Sequence, residues 1–302
     1  LTVAATNSTP TAAIDNVQSN TNTVSATAST SSYTLALTAP TTGDTDTPGA
    51  GYAASGSSLS VDGNTTSALA SGNSSTNALT YTVDVAAAGY VLVATTSTAG
   101  TASAGAVALN QQSNTAGVSA TASSGTFSEV LRAGATGSVL NSDVSLDNNT
   151  TSADAFGNSG TNSLTVGAND ISVTAAVTNV QSNTGAVSAA ASSNSYGLAL
   201  TETGTGYAAN ASSLSVEGNT TSALARGNAA TNTLTYTVGV SYSGYTTDPA
   251  ITVAGGVITG ATAGAVILNA QENTNTVGAV ASNNSYTVAL NAGGTGSALN
   301  SQ

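Results

Sequence analysis

Fourteen carboxylates and two arginines, Arg132 and Arg226, supply the side-chain charge at neutral pH in this 302-residue chain, which contains no His, Cys, Lys, Met or Trp. A pair of carboxylates can serve a glycosidase as acid and base or nucleophile. Asp44-Thr45-Asp46-Thr47-Pro48-Gly49 also has acids at the first and third positions of a calcium loop and Gly at the sixth. Neither pattern is complete. Pro48 holds the fifth position of that loop, and Ser55 stands at the twelfth, where a bidentate acid belongs. No acidic pair recurs beside an Arg or an aromatic platform. The reading is therefore a solvated loop and dispersed acids, with no catalytic residue, no metal ligand and no cofactor assigned. Asp62, Asp147 and Glu217 each precede a turn, where a carboxylate accepts turn N–H groups.

The missing residue types exclude more. Without His or Cys there is no Ser-His-Asp or Cys-His nucleophile, no usual zinc site and no disulfide. A net charge of -12 with two arginines leaves no basic patch for nucleic acid or anionic membrane, and no apolar run has transmembrane length. The expectation is that the chain is not an enzyme.

The elements that carry these residues repeat. A 22-residue block A starts at Asn16, Asn110, Asn179 and Asn269 and spans 16–37, 110–131, 179–200 and 269–290. Its fixed positions are Gln18, Gln112, Gln181 and Gln271, then Asn20, Asn114, Asn183 and Asn273, and the aromatics Tyr33, Phe127, Tyr196 and Tyr286. A 22-residue block B spans 59–80, 144–165 and 214–235, with Asn64, Asn149 and Asn219 fixed near its start. The order is A-B-A-B-A-B-A in one repeat domain, with two insertions at 40–56 and 240–264. Tyr90, Tyr242 and Tyr245 lie outside the blocks and are read as core filling. Leu1 and Val3 match the end of a B block and Gln302 falls where the next would begin, so Leu1, Val3, Leu299 and Gln302 are the expected assembly ends.

Alternation of apolar and polar residues in Val24-Ser25-Ala26-Thr27-Ala28, and Tyr33, Leu35 and Leu37 on one side, predict strands. Asp62-Gly63-Asn64, Ser71-Gly72-Asn73 and Glu217-Gly218-Asn219 predict turns in which Gly supplies positive φ. Thr-x-Thr pairs such as Thr80 and Thr82 fit outward strand positions by β propensity better than they fit an ice-binding face. Many short strands in gapless blocks predict an all-β parallel β-solenoid with about one block per coil, a rod roughly 60 to 70 Å long. A β-sandwich or a string of antiparallel domains is the rival. In the solenoid the fixed Asn and Gln form amide ladders inside turns, each donating upward and accepting from below.

Blocks A and B resemble the Asn/Thr/Ala-rich β-strand repeats of bacterial surface proteins. Gly-Asn-Thr-Thr-Ser-Ala-Leu-Ala-x-Gly-Asn-x-x-Thr-Asn-x-Leu-Thr is similar to repeats of alphaproteobacterial holdfast-anchor-like proteins. There is a looser similarity to filamentous-haemagglutinin-like adhesins and to trimeric autotransporter heads. The resemblance implies export to the cell surface and a fibre or adhesive role. The expected function is a structural subunit of an extracellular filament assembling head to tail, with self as partner; the alternative is a surface adhesin or carbohydrate-binding rod that meets surface polysaccharide.

Overall fold

The computed structural model describes the chain apart from residues 9, 39–53, 86–96, 100–101, 134–138, 141, 170, 172, 203–207, 211, 240–249, 254–260, 263, 284, 292–297 and 301–302. The calcium-loop acids, Tyr90, Tyr242, Tyr245, Gln302 and most of both insertions lie outside the described residues. A short strand, β1 (Thr2–Thr6), precedes a first pass of β2 (Ala12–Asn20), β3 (Val24–Thr38), β4 (Ala54–Ser55), β5 (Ser58–Ser60) and β6 (Thr65–Asp84). Then β7 (Ser97–Ala99) and β8 (Ala102–Ala104) lead to a second pass of β9 (Ala106–Asn114), β10 (Val118–Ala133), β11 (Val139–Leu140), β12 (Asp143–Ser145) and β13 (Thr150–Asn169). The third pass repeats it with β14 (Ala175–Asn183), β15 (Val187–Glu202), β16 (Ala208–Asn210), β17 (Ser213–Ser215) and β18 (Thr220–Gly239). After β19 (Ala250–Val253) and β20 (Ala261–Thr262) the fourth pass holds β21 (Ala265–Asn273), β22 (Val277–Asn283), β23 (Tyr286–Asn291) and β24 (Ala298–Asn300). Among the described residues there is no helix, and so none long and apolar enough to cross a membrane.

The protein is all-β, and its main sheets are parallel. Sheet I is β2-β9-β14-β21; sheet II is β3-β10-β15 with β22 and β23 both on β15; sheet III is β1-β6-β13-β18. Each strand pairs with its own counterpart one pass away, residue for repeat residue: Gln18 with Gln112, Asn73 with Asn158, Tyr196 with Tyr286. This corrects the expectation of one block per coil. The strand paired with an A-block strand in its sheet belongs to the next A block, 94, 69 or 90 residues away, and never to the adjoining B block. The long dimension changes with it. Four stacked strands span roughly 15 Å, whereas a 20-residue strand such as β13 runs about 65 Å, so the sheets are wide along their strands and shallow across them.

A and B blocks instead face each other across the interior. The first half of the long sheet III strands packs on sheet II through Ala68, Ala70, Ala153 and Ala155 against Val118, Ala120, Val187 and Ala189. The second half packs on sheet I through Leu79, Tyr81, Leu164 and Val166 against Ala106, Ala108, Ala175 and Val177. Small side chains let the backbones lie close enough for the long amides between these two apolar zones to cross. The outer face of sheet I is covered as well: Ala104, Val107, Leu109 and Ala176 form a buried cluster there. Antiparallel pairing of β8 with β7 and β19 lies beside it.

Two of the three expected turns contain a left-handed glycine, Gly63 (φ 68°) and Gly218 (φ 64°), and Asn148 (φ 57°) takes that place in the second pass. The third expectation is corrected. Ser71-Gly72-Asn73 lies within β6, and the glycine is needed for close approach, since a Cβ on its counterpart Gly157 would sit 2.4 Å from the Gly227 carbonyl oxygen and 2.6 Å from Asn183 Oδ1. Gly157→Ala is therefore expected to destabilise the fold by about 1–3 kcal/mol. Gly167→Ala, whose Cβ meets only Thr82 atoms at 3.8 Å or more, serves as the near-neutral control. Denaturant unfolding of both variants checks this; equal losses would disprove the close-approach account.

Candidate functional site

Columns of identical side chains run through the stacked passes, held by strands whose alternation points them inward. Gln112 Nε2 donates to Gln18 Oε1 at 2.7 Å, Gln181 to Gln112 at 2.7 Å and Gln271 to Gln181 at 2.8 Å. Asn20 Nδ2 donates to Asn114 Oδ1 at 2.7 Å, Asn114 to Asn183 at 2.6 Å, and Asn183 to Asn273. Asn64 donates to Asn149 and Asn149 to Asn219, each at 2.9 Å. Polarity differs between columns. The Asn donors point toward the later pass and the Gln donors toward the earlier one, so a single upward direction for all ladders is corrected.

Each amide has a second N–H, and its partner shows what the column fastens. Asn114 and Asn183 donate to the carbonyls of Ala116 and Gly185, fixing the turn from sheet I to sheet II. Gln18, Gln112 and Gln181 instead reach across the interior to the carbonyls of Ser74, Ser159 and Ala229 in sheet III. Gln18, Gln112, Gln181 and Gln271 lie inside strands and not in turns.

Two further columns escaped the sequence reading. Asn73, Asn158 and Asn228 form one, at 2.8 and 2.7 Å, and Asn77, Asn162 and Asn232 another, at 2.9 and 3.1 Å. Their second N–H groups donate to sheet I of the next pass: Asn73 to Ser113 O, Asn158 to Ser182 O, Asn162 to Thr178 O. The signal was present in block B as Asn at a fixed offset of nine and then four residues after Asn64, Asn149 and Asn219. Gln bonds within a pass and Asn bonds to the next together stitch the two facing sheets.

The aromatics form a fourth kind of column. Tyr33, Phe127, Tyr196 and Tyr286 stack with ring centroids 5.1, 5.0 and 4.9 Å apart and interplanar angles of 9°, 4° and 7°. At the ends, the Leu1 ammonium donates to Ala78 O at 2.8 Å, Val3 pairs with Tyr81, and Leu299 pairs with Ala209. The acids before the turns also stack: Asp62 accepts the Asp147 N–H at 2.8 Å, and Asp147 the Glu217 N–H at 2.6 Å. Burial raises the Asp62 pKa, but hydrogen bonds from Ser60, the Asp147 N–H and Ser145 outweigh it and hold the carboxyl below its usual value.

Glu129 is the exception to like stacking on like. It sits in register between Leu35 and Leu198, is 0% exposed, and neither carboxylate oxygen has a hydrogen-bond partner. Burial pushes its pKa up to about 7, helped by Asp62 and Asp147 and opposed by the nearby Ser145 N–H. No group of three or more acids converges as a metal site among the described residues. A shallow depression of about 400 Å³ crosses Asp84, Asn169 and Gly239, but its amide and carboxylate are bonded to each other at 3.1 Å. The arrangement binds strands to strands, and the amides of its inner passes are spent on hydrogen bonds.

Gln181→Ala leaves the Ala229 carbonyl and both neighbouring amides short of a partner, and is expected to cost about 1–3 kcal/mol. Gln271→Ala, at the end of its column, is expected to cost clearly less by the same unfolding measurement. Glu129 titrates near its ordinary 4.5 when unfolded and near 7 when folded, so its folded form holds the extra proton and stability falls as pH rises from 4.5 to 7. Glu129→Leu is expected to raise stability by about 1–3 kcal/mol at pH 8, the cost of an unpartnered buried polar group, and by less at pH 4. Equal gains at the two pH values would reduce the effect to packing.

No protein-family model, no curated protein and no solved structure matches the chain.

Proposed function

We propose that the four passes are coils of a parallel β-solenoid and that the chain is a structural subunit joining head to tail along the stacking axis. One observation carries this: columns of identical amides run from pass to pass, the block-A columns through four and the block-B columns through three, and stop at strands whose outer edges pair with no described strand. Such an edge is a template for another chain, and a contact between unlike ends repeats without closing. The lateral surface suits the role. A net charge of -12 opposes side-by-side association while axial backbone pairing is untouched.

The resemblance of the blocks to bacterial surface repeats supports an extracellular filament at the cell surface, with self as the partner and neither nucleic acid nor membrane insertion involved. Binding of surface polysaccharide as an adhesin is the second reading. It would use the insertions, and in the later one β19 is engaged with β8 beside sheet I and with β20, which favours the structural role. Negative-stain electron microscopy and sedimentation of the purified chain test the proposal. Fibres whose length grows with concentration are expected; a monomer without fibres at high concentration would overturn it.

A further inference from the structure

The last strand of sheet III carries an unfilled pattern. Asn228 donates to Glu272 O, Asn232 to Leu268 O and Asn219 to Leu146 O. Each makes that one donor bond, whereas the counterparts one pass earlier, Asn158, Asn162 and Asn149, make it and also donate to the next Asn. Gln271 likewise donates only down its column, although Gln18, Gln112 and Gln181 each also donate to a sheet III carbonyl of their own pass. Four amide donors thus surround one place, the row above β18 and beside β21.

Apolar exposure marks the same place. Val277 is 37% exposed where Val187 and Val118, which pack on sheet III, are 1%. Ala223, Ala225, Leu234 and Tyr236 on β18 are half-buried, while the matching Ala153, Ala155, Leu164 and Val166 are at most 1% exposed.

We propose that this row is a docking groove for one extended, parallel strand with Asn at offsets of nine and four residues, the block-B pattern, supplied in trans. The three Asn oxygens of such a strand accept from Asn219, Asn228 and Asn232, and a main-chain carbonyl accepts from Gln271. Its inward Ala and Leu cover Val277 and the inner face of β18. A folded second copy does not fill this row: with its β6 on β18, its β2 would take the space that β21 fills, and with its edge strand β1 on β18 in the repeat register, only Thr235 onward is covered and Asn219, Asn228 and Asn232 stay open. The partner is therefore a single unpaired strand. This rests on the axial-end reading above and names what that end recognises.

A fluorescently labelled peptide of residues 58–84, held at nanomolar concentration, tests it by anisotropy on titration with the full chain. Saturable binding is expected, weakened at least tenfold by Asn64→Ala, Asn73→Ala and Asn77→Ala together in the peptide. An Asn228→Ala, Asn232→Ala chain shown to be folded by circular dichroism is expected to weaken binding by a similar factor; if it fails to fold, the peptide variants decide alone. No binding to folded chain, or equal binding of the Asn and Ala peptides, overturns the groove. Fibres without peptide binding would refute the groove and leave the filament standing; peptide binding by a chain that stays monomeric would do the reverse.

Discussion

Everything in this protein depends on a strand lying in register on its own repeat. Parallel pairing at one pass of separation places identical side chains about 4.8 Å apart, a spacing at which an amide can bond to its twin and an aromatic ring can stack on its twin. A shift of one residue would turn every inward amide outward. Register is thus fixed many times over, by the Gln column, by several Asn columns and by the rings of Tyr33, Phe127, Tyr196 and Tyr286.

The columns do more than fix register. Because each primary amide has two N–H groups, it can serve its column and still reach a carbonyl elsewhere. The Asn20 column spends the second on a turn, the Gln18 column on the facing sheet, and the Asn73 column on the next pass. An interior this narrow is built from Ala, Val and Leu with little aromatic area, so its polar middle holds the two apolar zones at a common distance. A half-satisfied network of this kind would be worse than an apolar core; here the buried members are satisfied, and shortfalls gather at the last pass.

Charge follows the same geometry. Stacking would be expected to forbid acids, yet Asp62, Asp147 and Glu217 lie one above another because each of the first two carboxylates accepts the next acid's N–H. Glu129 shows the opposite case. Its neighbours in the column are leucines, neither carboxylate oxygen has a hydrogen-bond partner, and burial raises its pKa to about 7.

By itself the sequence determined that strands alternate, that two kinds of block repeat, and which Asn, Gln and aromatic positions stay fixed, since period-two burial and repeat spacing are local properties. It also carried the Asn at offsets nine and four in block B, though a spacing does not say what it is for. Which block stacks on which could not be read from the blocks: A and B have equal length, and only the complementarity of their inner faces, alanines against valines and amides against carbonyls, makes them partners across the interior and never neighbours in a sheet. Tertiary structure alone decided the direction of each column, the place of Gly157 as a close-approach residue, the burial of Glu129 and the convergence of four amide donors above β18. Each depends on residues tens of positions apart, brought together by register.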